Sequence, residues 1–281
     1  MVYAVVARLL FRRMRSRTET KVAVTIALGF VLAGFIETCM QFYGADMGEL
    51  PTPATAWAWN IDAMRVNSMR VYLFFFAPVL AGLMFADSAR ADVDSGFAPC
   101  IAARCSTNAW FTVHAVASFL GGFAITLGVL ALLQALAFTA FPADGTFTGR
   151  IGVPVWQGAP WDFGFLSELS RVHPYAFNLV FALWTSCWMG ACALLSFALT
   201  FLLRKGRVLA LLLPMLIPLA LFQILPRVLR WLYEMLPYFR AYPGSWPQPL
   251  DLMGFVAPLV FLFAAALACC VAARRKEDVL L

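Results

Sequence analysis

Six long apolar stretches constrain this chain more than any other feature: residues 22–42, 71–86, 111–141, 176–203, 208–225 and 252–273. A bilayer core about 30 Å thick needs about 20 apolar residues in a helix rising about 1.5 Å per residue. Hydrocarbon offers no partner to a backbone amide, so segments of this kind cross as α-helices. The second stretch, VYLFFFAPVLAGLMFA, is short, whereas the third exceeds the bilayer core and should tilt or protrude. The fifth is interrupted by Pro214 and Pro218. The expectation is an all-α integral membrane protein, a single transmembrane domain over residues 1–281 with six transmembrane helices.

Composition excludes the soluble alternative. Hydrophobic residues make up 62% of the chain and charged residues 13%, against about 25% charged in a soluble domain. The mean hydropathy is +0.80. The first apolar stretch follows a long basic run, Arg8, Arg12, Arg13, Arg15, Arg17 and Lys21, and is itself long enough to span. It reads as a retained anchor rather than a cleaved leader. Residues 2–14 mix apolar positions with arginines, which suits an interfacial helix lying along the membrane.

The polar connections set the orientation. The N-terminus, residues 87–108, residues 204–207 and the C-terminal tail hold fourteen basic residues, including every lysine. Residues 43–70, 142–175 and 226–251 hold seven. The positive-inside rule puts the first group in the cytoplasm, with both termini. The expected location is a plasma membrane, multi-pass and bacterial in character. Trp57, Trp59, Trp156, Trp161, Trp231 and Trp246 fall in the other group, where aromatic rings favour the headgroup layer. Trp184 and Trp188 lie inside the fourth span and read as packing or lipid-facing residues. Residues 142–175 are rich in Gly and Pro and read as a loop; a short helix is expected over 61–69 and one or two amphipathic surface helices over 226–250.

The chain holds no phosphate loop, no zinc-protease helix and no nucleophile elbow. No catalytic, cofactor-binding or metal-binding residue is assigned. His114 and His173 fall on opposite sides of a span, and the aspartates that begin at Asp87 stop at Asp94. The seven cysteines lie in spans or cytoplasmic segments and read as small apolar residues or reduced thiols. The net charge of +6 is spread over span ends, which fits contact with lipid and not a nucleic-acid patch. Glu37 lies late in the first span with Gln41 one turn beyond. An acid in a span marks a candidate pathway or gating site, and near the outer interface it equally serves as a hydrogen-bonded structural group.

The connection between the second and third spans, DSARADVDSGFAPCIAARCSTN, is the most informative stretch. Ser95-Gly96 can end one helix, Asp94 or Ser95 can cap another, and Phe97, Ile101 and Arg104 recur at helical spacing. A short surface helix with an apolar side fits a partner's groove.

In layout, this chain resembles the membrane subunit of a type-2 ABC exporter: N-terminal interfacial helix, six spans, both termini inside, an acidic segment and a Gly before a cytoplasmic coupling helix, short external helices between spans five and six, and a basic tail. Gly96-Phe97 departs from the Gly-Thr or Gly-Ser of many members, and the external loop 142–175 has no assigned counterpart. The resemblance implies that Asp94, Ser95, Gly96, Phe97, Ile101 and Arg104 couple the chain to an ATPase. It implies two ATPase subunits carrying ATP and Mg, and a second permease copy, identical or related. The chain would export a hydrophobic or amphipathic substrate without being an enzyme itself. Small residues in the first span, Gly29, Ala33 and Gly34, would sit at the dimer contact. The alternative is a membrane protein that transports nothing: an assembly or immunity partner, or a lipid-modifying enzyme.

Overall fold

The computed structural model describes residue 14 and residues 16–46, 50–61, 67–96, 106–142, 166–203, 206–228 and 252–275. Most of these residues are helical, with no strand among them. In chain order the helices are α1 (Thr18–Gln41), α2 (Pro53–Asn60), α3 (Ser68–Phe85), α4 (Ser88–Asp94), α5 (Thr107–Ala140), α6 (Ser167–Val172), α7 (Pro174–Leu202), α8 (Arg207–Val228) and α9 (Leu252–Arg275). Five of them, α1, α3, α5, α7 and α9, are long and apolar enough to cross a membrane, the composition of a membrane protein. The 22-residue α8 runs through Pro214 and Pro218 without the expected break, but its apolar stretch, Arg207–Ala220, is shorter.

Local chemistry sets the helix starts. Ser106 caps α5, its Oγ accepting from the Ala109 amide at 3.3 Å. Asn67 caps α3 by accepting from the Arg70 amide at 2.7 Å, so that helix begins three residues before the apolar run. Pro174 opens α7, where its missing amide costs nothing. Within α3, residues Tyr72–Phe76 widen into a π turn, with the Ala77 amide donating to the Tyr72 carbonyl. This gives room to the ring of Pro78, which would otherwise press on the carbonyl four residues back.

The long helix α7 is the centre of the bundle, packing against α5, α9, α3 and α8. Gly122 lets α5 and α7 meet closely: a Cβ there would lie 2.8 Å from the Ala193 Cβ. One apolar core joins α1, α2, α3, α5 and α7 with Phe255 of α9. A second core gathers Trp110, Phe111, Phe197, Phe201 and Cys270 where α5, α7 and α9 have their opposite ends. Outward-facing positions are apolar as well, among them Leu28, Leu32 and Ile36 on α1 and Val260 and Phe261 on α9. Such a surface needs a lipid or protein neighbour.

Several expectations for the connections change. The helix in the first connection is Pro53–Asn60 and not 61–69; Ile61 is already in a turn, 62–66 lie outside the described residues and Ser68 belongs to α3. Thr52 caps it, with Pro53 in the first helical position. The loop expected over 142–175 contains α6. The interfacial helix over 2–14, apart from Met14, and the surface helices over 226–250, apart from the end of α8, lie outside the described residues.

Candidate functional site

The buried carboxylates among the described residues, Asp87 and Asp92, lie at one end of the bundle. Asp87 lies just past the end of α3 and its side chain is only 2% exposed. It accepts from Arg17 Nη2 at 2.9 Å and from Arg207 Nη2. Arg17 precedes α1 and Arg207 opens α8, so one carboxylate ties three helix ends together. Arg17 also reaches Glu19 at 3.4 Å, and Thr20 of α1 donates to the Met84 carbonyl of α3 at 3.2 Å. A buried carboxylate of this kind requires its cations: removing one partner strands a desolvated charge.

Beside this clamp, α4 hooks into α5. His114, 0% exposed, has Nδ1 3.1 Å from Ser88 Oγ and Nε2 3.5 Å from Asp92 Oδ2. Phe85 stacks on its ring and Trp110 packs on it at 4.9 Å. Serine, histidine and aspartate together invite comparison with a hydrolase triad. All three are sealed, however, with Asp92 0% and Ser88 1% exposed, so no substrate carbonyl can reach the hydroxyl. The geometry is that of a fastening.

The opposite face of α4 is open. Asp94, Ser95 and Gly96 are exposed, and Arg90 pairs with Asp94 at 3.0 Å. The expected helix break falls where the sequence puts it. Ser95 is the last cap residue, and Gly96 takes φ +71, a left-handed value that favours glycine after a helix. Ser95 Oγ turns back to the Asp92 carbonyl at 3.2 Å, so it closes α4 rather than opening a new helix. The chain re-enters the bundle at the Ser106 cap. Phe97, Ile101 and Arg104 lie between these anchors, outside the described residues, as does Cys100.

At the other end of the bundle α2 is held by uncharged groups. Trp57, now in α2, was expected as an interfacial ring at the headgroup layer. Instead Trp57 is 1% exposed and its Nε1 donates to the Leu130 carbonyl at 2.9 Å. Leu130 lies ten residues before the end of α5, a depth of about 15 Å along the helix. Gln134 donates to the Pro53 carbonyl at 3.1 Å, and Asn178 to the Ala54 carbonyl at 3.0 Å and to Gln134 Oε1 at 3.0 Å. The segment therefore packs between α1, α5 and α7, with the Pro53 and Ala54 carbonyls met by side chains, as a low-dielectric site demands. Gly34, expected at a dimer contact, faces inward: a Cβ there would be 2.5 Å from Met69 Cγ. Gly29 remains open.

Glu37 and Gln41 are exposed at this same end. Glu37 accepts from the Ser68 amide at 2.8 Å and from Ser68 Oγ at 2.5 Å, tying α1 to the start of α3. Trp184 and Trp188 stack at 5.4 Å inside the bundle, and Trp184 Nε1 donates to the Phe255 carbonyl at 3.0 Å. They are packing residues, not lipid-facing ones. Neither the Asp87 clamp nor the burial of α2 was read from the sequence. The Thr52-Pro53 helix start was a usable signal for α2.

No known protein family, curated protein or solved structure matches this chain.

Proposed function

We propose that this chain is the permease subunit of an ATP-driven exporter, with α8 as its sixth span and the Asp87 end in the cytoplasm. The supporting observation is the fastening of residues 87–94. Asp87 holds the starts of α1 and α8, and Ser88 and Asp92 hold α5, while Asp94, Ser95 and Gly96 face outward. A partner that grips 95–106 pulls on several spans together. Two ATPase subunits, with ATP and Mg, would supply the movement, and a second permease copy would complete the path. The open α1 face around Gly29, Leu28 and Leu32 is a surface for that copy. Alternating access then needs the two copies to repack as units, which a rigid inner clamp favours.

The reading is tested by Gly96→Val and Phe97→Ala. Each is expected to abolish ATP-dependent export of an amphipathic dye while leaving insertion and helix content unchanged. Gly96→Val forces a branched residue into a left-handed turn, and Phe97→Ala removes an apolar docking group. Normal export by both variants contradicts the coupling assignment.

A further inference from the structure

We propose that the groove between α5, α7 and α9 at the Arg274 end holds one anionic phospholipid of the surrounding bilayer, its phosphate on Arg274 and an acyl chain in the groove. The groove, open along one side, has a volume of about 320 Å³. Phe111, Ala115 and Phe119 line it from α5, and Leu267, Val271 and Arg274 from α9. These positions are one and two turns apart, so each helix presents a continuous apolar track.

Depth, composition and charge point to the same occupant. From Phe111 to Phe119 is eight residues, about 12 Å along α5; from Arg274 back to Leu267 is about 10 Å along α9. One leaflet of a bilayer core is about 15 Å deep. The groove thus runs from the end of the bundle through most of one leaflet, the path of an acyl chain. Its side is open to the membrane, since Leu267 and Val271 are each more than half exposed. The cation is at the end of the track, in the last turn of α9, with exposed Arg275 beside it. Basic residues at the membrane surface attract anionic headgroups, and apolar grooves between spans beneath them accept the tails. A neutral tail alone would leave Arg274 unused. A soluble phosphate would leave the apolar track empty. This inference does not depend on the chain being a permease.

Native mass spectrometry of the full-length protein in mild detergent tests it, with phosphatidylglycerol and phosphatidylcholine of identical acyl chains added in equal amounts. The wild type is expected to retain a single phosphatidylglycerol about fivefold over phosphatidylcholine. Arg274→Gln should bring the two lipids to equal retention. Ala115→Phe should fill the track and lose both. Arg274 is exposed, so its variant is expected to fold even if the larger ring at position 115 disturbs packing. Equal retention of the two lipids by the wild type, or undiminished preference in Arg274→Gln, overturns the proposal. So does a change in dimer fraction with unchanged lipid retention, which would make the groove a protein contact.

Discussion

The two ends of this bundle solve the same problem with different chemistry. At one end a connection is fastened by charge, Asp87 between Arg17 and Arg207, and by the packing of Ser88 and Asp92 against His114. At the other, α2 packs on α5 about 15 Å along that helix from its end and is held by an indole and two amides on backbone carbonyls. Charge is affordable only where the helices end and water is near, because desolvating an ion deep in a bilayer costs several kcal/mol. Neutral donors carry no such penalty, so the deeply placed segment uses them.

The sharpest way to break this contrast is at Asp87. Asp87→Ala should destabilise the protein by about 3–5 kcal/mol, because it leaves the largely buried Arg17 without its carboxylate. Thermal unfolding in detergent measures this, and Arg17→Ala in the same background should restore part of the loss. The neutral end should respond to volume. Trp57→Ala is expected to cost about 3–5 kcal/mol through the cavity it opens, and Trp57→Phe only about 1 kcal/mol for the lost bond to Leu130. If Trp57→Phe costs as much as Trp57→Ala, the hydrogen bond and not the packing holds α2. The smallest effect belongs to Glu37→Gln. Its carboxylate is exposed, and the amide oxygen still accepts from Ser68, so unfolding should shift by less than about 0.5 kcal/mol.

What the sequence disclosed follows from the range of each interaction. Apolar runs are local, so α1, α5, α7 and α9 were legible to within a few residues from hydropathy alone. The break at Ser95-Gly96 was equally legible, because a glycine after a helix declares itself in two residues. The Asp87 clamp was not, since its partners lie 70 and 120 residues away in sequence. Trp57 misled for a different reason. A tryptophan among prolines and small residues between two spans has the same composition whether it floats at the headgroups or dips inward. Only the placement of Gln134 and Asn178 on neighbouring helices decides between them. Gly34 shows the same limit: a small residue marks a close approach without saying which chain approaches.

The central claim is that a separate ATPase drives this chain by gripping residues 95–106. Purification of the tagged, full-length protein from its own membrane, with quantification of what accompanies it, tests that claim most directly. The expected result is a phosphate-loop ATPase present in about equal amount, lost from Gly96→Val while the chain remains inserted. Recovery of the chain without any ATPase, or an ATPase retained undiminished by Gly96→Val, would contradict it.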